Sequence, residues 1–143
     1  MKRGQVKISA TAEANYLADV ALAARFPELL DLAQVAEREF RHAQAAAEPD
    51  SVQYPLAHAF DTALTDVTRS AYAAQRAEIG PRGYDDRIYR RKAMATTAVH
   101  AWTSEAERLL TLRETHRLTG FPARPEAAAL GVAIARLPAE NHA

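Results

Sequence analysis

A chain of 143 residues with eighteen basic and eighteen acidic side chains is one domain long and carries no net charge at neutral pH. Such a balance gives no general attraction to nucleic acid or to an anionic membrane. The chain has no cysteine, which excludes disulfides, thiolate metal sites and cysteine nucleophiles together and makes a reducing cytoplasm the expected compartment.

The basic start MKRG is followed by an apolar run broken at Glu13, Asn15 and Asp19, a poor secretory leader, and residues 1–10 read as a flexible arm. A single helical domain is expected over 11–137, with a polar tail at 138–143. Thr11 and Glu13 suit a helix start, and Leu17, Val20, Ala21 and Ala24 then recur at helical spacing. Phe26-Pro27 ends this first helix and begins a second, because proline fits a first helical turn and disfavours helix in the residue before it. Leu29, Leu32, Ala36, Phe40, Ala43 and Ala47 form the apolar stripe of the second helix.

PDSVQYP at 49–55 reads as a loop. The third helix follows to Glu78, with Leu56, Phe60, Ala63, Leu64, Val67, Ala71 and Ala74 as its stripe. Ile79-Gly80-Pro81-Arg82-Gly83 stops it. Residues 84–118 hold neither glycine nor proline, and Ile88, Ala95, Val99, Trp102, Ala106 and Leu109 keep one register. Unbroken, this fourth helix would be about 50 Å long; SEAE at 104–107, a capping box, marks an alternative restart near Thr103. PEAAALGVAIARL at 125–137 reads as a short last helix.

These elements predict an all-α fold, an antiparallel bundle of four main helices plus a short C-terminal helix, with the fourth helix unusually long. Thirty-three residues are alanine, so helices approach closely but each contact buries little surface, and a thin core of this kind gains from self-association.

Three groups of residues are candidates for function. In GPRGYDDRIYRRKA, residues 80–93, the cations Arg82, Arg87, Arg90, Arg91 and Lys92 cluster in a way that suits a phosphate or a nucleic-acid backbone. Asp85 and Asp86 in the same stretch sit where a helix dipole favours negative charge, and they would repel such a ligand. On the inner side of the fourth helix, Trp102, Glu105, Leu109, Arg113 and His116 place polar groups on a core-facing stripe. They must find partners there or open onto an interface. Glu39 and His42 have the Glu-x-x-His spacing of carboxylate-bridged metal sites, but the second copy such a site needs is absent, so no metal and no cofactor is expected.

The five histidines, 42, 58, 100, 116 and 142, include no closely spaced pair, and His58 falls opposite Phe60, where it should be exposed. No serine lies in a Gly-x-Ser-x-Gly context, and there is no phosphate-binding glycine loop. The leading reading is a non-enzymatic helical interaction or accessory protein that forms a homo-oligomer or binds another protein, away from membranes. The alternative is a nucleic-acid or phosphate-binding bundle using the basic cluster. Residues 1–80 hold 8 basic and 11 acidic side chains and residues 81–143 hold 10 and 7, a polarity suited to an oriented partner.

Overall fold

The computed structural model describes residues 7–122, and the expected last helix at 125–137 lies outside them. Five helices, α1 (Ala10–Ala24), α2 (Phe26–Ala45), α3 (Asp50–Ile79), α4 (Arg87–Ala93) and α5 (Thr97–Thr119), pack against one another. A 3-10 turn, Pro81–Tyr84, joins α3 to α4, and the described residues contain no strand.

α1 begins two residues earlier than the Thr11–Glu13 signal suggests, because Ser9 is its cap: the Ser9 hydroxyl accepts the Ala12 N–H at 3.1 Å. Arg25 alone separates α1 from α2, with Pro27 in the first turn of α2 as expected. α2 ends at Ala45 through Ala47, which takes a left-handed φ of 51° so that Glu48 N–H can reach back to the Ala43 carbonyl. α3 starts at Asp50 and absorbs the expected loop. Pro55 lies inside it, in the second turn, where its missing N–H removes one bond of the helical ladder.

α3 is the shared partner. α2 lies along its N-terminal half, where Phe40 meets Phe60 edge to face. α1 takes the C-terminal half, where Ser70 Oγ donates to the Leu22 carbonyl at 2.8 Å. α5 runs along a different side of α3, bound by Gln75 to Thr103 at 2.7 Å and by Arg117 to Asp61 at 2.7 Å. Leu29, Ala33, Phe60, Leu64, Val67, Ala71, Ala106 and Leu109 form the core between α2, α3 and α5. Trp102 closes one end of this core edge to face on Phe26, at 5.1 Å between ring centres.

Two sequence expectations change. The unusually long fourth helix does not form. Residues 84–118 are divided into the 3-10 turn, α4 and α5, and the break falls at Met94–Thr96 rather than near Thr103. A straight continuation from Tyr84 would carry α4 past the end of α3, with nothing to pack on; Ile88, its apolar residue, is 70% exposed. Thr96 Oγ1 bonds back to the Ala93 carbonyl at 2.8 Å, and a new helix that packs on α3 then begins. Through 104–107 α5 is continuous, and Glu105 pairs with Arg108 one turn on instead of capping.

The second change is the rotation of α1. Its expected stripe, Leu17, Val20, Ala21 and Ala24, faces solvent, with Leu17 57% exposed. Ala12, Tyr16, Asp19, Leu22 and Ala23 turn inward instead, roughly half a turn away at 100° per residue. The reason is polar: Asp19 is drawn to Arg76 of α3, and the Leu22 carbonyl is drawn to Ser70. Leu32 on α2 is likewise exposed, its expected place in the core being taken by Ala33.

Candidate functional site

Gly80 has a φ of 96°, a conformation that side chains other than hydrogen resist, so α3 stops there and the chain turns back. The 3-10 turn then lies flat on the end of α3. Gly83 is buried, and a Cβ on it would overlap the Ile79 side chain. This close approach delivers Tyr84 to α1. Its hydroxyl donates to Asp19, and its ring meets Tyr16 edge to face at 6.3 Å.

Arg76, in the last turn of α3, clamps the same carboxylate with two bonds, Nε to Oδ2 at 2.8 Å and Nη2 to Oδ1 at 3.0 Å. Burial pushes Asp19 upward, but the bonds from Arg76 and Tyr84 outweigh it and hold the carboxyl below its ordinary range. Tyr84 moves the other way. Burial, then the hydrogen bond to anionic Asp19, raises its phenol far above the usual value. The Asp19 bond raises Arg76 as well, so the trio is carboxylate, guanidinium and neutral phenol at physiological pH.

The two aspartates of the opening motif are consumed locally. Asp85 accepts both the backbone N–H and the hydroxyl of Ser9, at 2.8 and 2.9 Å. Asp86 caps α4 by accepting the Tyr89 N–H at 2.9 Å; this bond first, and Arg82 after it, hold its carboxyl low. Arg82 does not join the other arginines. It turns to Asp86 at 3.4 Å and lies over the Tyr89 ring at 4.4 Å. Arg87, Arg90, Arg91 and Lys92 are exposed on α4 and make no ion pair among the described residues. Arg90 lies on the wall of a cavity of 390 Å³ shared with Asn15, Ala18, Asp19, Arg76, Ile79, Gly83 and Tyr84.

The interface candidates of α5 sit mostly within the chain. Leu109 is a core residue and His116 is 3% exposed, so neither offers surface to a partner. His116 Nε2 lies 2.8 Å from the Ala57 carbonyl, with its ring among Phe40, Phe60 and Phe121. Trp102 is half-buried on Phe26. Arg113 reaches Thr65 at 3.4 Å and Glu114 at 3.1 Å. Glu105 is half-buried and paired with Arg108 at 2.7 Å, which holds its carboxyl low. Polar groups on the inner face of α5 therefore found intramolecular partners, except His116 Nδ1, which is buried without a hydrogen-bond partner among the described residues.

Glu39 and His42 are both exposed on α2, and no cluster of three or more metal-ligating side chains occurs among the described residues. His58 is exposed, as its position opposite Phe60 requires. None of the helices in the described residues is long and apolar enough to cross a membrane.

Sequence reasoning missed Asp19, Arg76 and Ser9. Asp19 and Arg76 lie 57 positions apart, Ser9 and Asp85 lie 76 apart, and no local spacing marks either pair. The one usable signal was Asp19 itself, an acid in the middle of an alanine-rich helix. Comparison with protein-family models, with curated proteins and with solved structures finds no match to this chain.

Proposed function

We propose that the protein is a non-enzymatic helical-bundle interaction protein that self-associates, and that α1 is the surface it uses. The observation carrying this reading is the outward apolar stripe of α1: Leu17, Val20, Ala21 and Ala24 form a helical face that the described residues leave uncovered. Ala10 and Ala14 extend it, and small residues let a second helix approach closely.

The stripe fits a second copy of itself. In an antiparallel α1 pair with Leu17 opposite Ala21 of the other copy, large meets small, Ala14 meets Ala24, and Glu13 comes opposite Arg25. A two-fold contact repeats each of these pairings, so size and charge complement one another on both sides. The order of contacts between α3 and α5, with Ala57 beside His116 and Gln75 beside Thr103, supports reading the protomer as an antiparallel bundle.

Light scattering with size-exclusion chromatography at about 0.15 M salt tests the reading. A dimer is expected for the native chain and a monomer for Leu17→Glu. Glu13→Arg should weaken the dimer and Glu13→Arg with Arg25→Glu restore it. A monomeric native chain overturns it.

A second reading rests on α4. Arg87, Arg91 and Lys92 are solvent-facing without ion partners among the described residues, while the neighbouring aspartates are engaged in local hydrogen bonds, Asp85 with Ser9 and Asp86 with the Tyr89 N–H. Binding of single-stranded nucleic acid there would weaken steeply with salt, and Arg87→Ala with Arg91→Ala would flatten that slope.

A further inference from the structure

We infer that the cavity between α1, the end of α3 and the 3-10 turn is a binding site for a small organic anion: an oxyanion head, carboxylate or phosphate, on a short apolar body. The inference is independent of both readings above, because the cavity faces neither the α1 stripe nor the outer side of α4.

Charge selects the head. Asp19 and Arg76 lie 2.8 Å apart and cancel, which leaves Arg90 as the uncompensated charge on the wall. Arg76 is held rigid because Asp19 takes its Nε and one Nη2 hydrogen. Its remaining N–H groups keep a fixed geometry, and a planar fork pre-organised in this way suits two oxygens of an oxyanion. Arg90 makes no ion pair among the described residues, so it can close on the same head without giving up a bond. The Asp19 carboxylate cannot repel the ligand freely, since Arg76 and the Tyr84 hydroxyl already occupy its oxygens.

Shape selects the body. Ala18 and Ile79 are apolar, Gly83 presents backbone only, and the volume of 390 Å³ lies in the range of small-molecule pockets. The site is also built from rigid parts: α1, α3 and the turn meet through the Asp19–Arg76–Tyr84 network, so little ordering accompanies binding.

An NMR titration of the ¹⁵N-labelled full chain tests this, with benzoate, phenyl phosphate, inorganic phosphate and neutral benzamide as probes. Saturable shifts at the Ala18, Gly83 and Tyr84 amides are expected with benzoate or phenyl phosphate, and none with benzamide. The tighter of the two aromatic anions identifies the head group, and inorganic phosphate should bind more weakly than phenyl phosphate because it lacks the body. Arg90→Gln should lower the affinity about tenfold, which is the loss of one charge-assisted contact, at an unchanged melting temperature. Ala18→Met, which fills the cavity and keeps every charge, should abolish binding. No saturable shift at about 10 mM of either aromatic anion, far weaker than a useful site, overturns the inference. So does unchanged affinity in both variants, or a response confined to Arg87, Arg91 and Lys92.

Discussion

The Ser9 hydroxyl and backbone N–H both donate to the Asp85 carboxylate, at 2.9 and 2.8 Å, across 76 positions of sequence. The contact ties the first turn of α1 to the residue that follows the 3-10 turn. It turns an aspartate that would have opposed a bound anion into a structural clasp.

Asp85→Ala removes the clasp and leaves the Ser9 cap on Ala12. The expected loss is about 1 kcal/mol, typical of hydrogen bonds near the surface. Ser9→Ala removes the cap and the hydroxyl half of the clasp, keeps the backbone N–H bond to Asp85, and should cost about 2 kcal/mol. Because the hydroxyl bond is shared and the backbone N–H bond is lost only with Asp85, the double variant should be worse than Ser9→Ala alone but by less than the full effect of Asp85→Ala. Urea unfolding of the three variants checks this.

Ala47 holds a φ of 51°, a left-handed conformation that a Cβ makes unfavourable. Ala47→Gly relieves that strain at the end of α2 and gives back part of the gain as chain entropy. A net stabilisation of roughly 0.5–1 kcal/mol is expected, read as a higher urea midpoint at unchanged slope.

The folded state lowers the Asp19 carboxyl below its ordinary value of 3.8. A group depressed in this way binds its proton less readily when folded. Its contribution is whole above the unfolded value and is lost as pH falls through the folded one. Stability should therefore decline below about pH 4, and Asp19→Asn, less stable at neutral pH, should decline less steeply there. Melting temperatures measured between neutral and strongly acidic pH decide the matter.

Tyr84 gives the opposite limb. Its phenol is raised above the ordinary 10.0, so its contribution is complete below that pH and is lost as pH rises through the higher folded value. Tyr84→Phe should flatten the alkaline decline. In the native chain, the ultraviolet absorbance of tyrosinate should keep a late step that this variant lacks.

Helix content was legible because periodicity and punctuation are local. Phe26-Pro27 and Gly80-Pro81 ended helices where expected, and Phe40, Phe60, Leu64 and Leu109 are core. Orientation was not legible. The stripe of Leu17, Val20, Ala21 and Ala24 is periodic, yet α1 turns its other side inward, because one buried-side ion pair and one backbone acceptor outweigh weak alanine contacts. The α4 break was illegible for a related reason. It depends on where α3 ends in space, and residues 84–96 cannot report that. Of the candidate site, the sequence marked Arg90 and the Tyr84 turn, while Asp19 and Arg76 became a site only when two helices crossed.

Arg25 is the only residue between α1 and α2, and α1 rests almost wholly on the far half of α3 and on the 3-10 turn. Tyr84 and Asp85 bind that turn to α1, and Asp86 caps the helix that follows. The contacts thereby fall into two groups: a trunk of α2, α3 and α5 closed by the Phe40, Phe60 and His116 rings, and a flank of α1, turn and α4. If subglobal opening pivots at Arg25, hydrogen exchange should show amides in α1 and the turn sharing one opening free energy, smaller than that of the trunk.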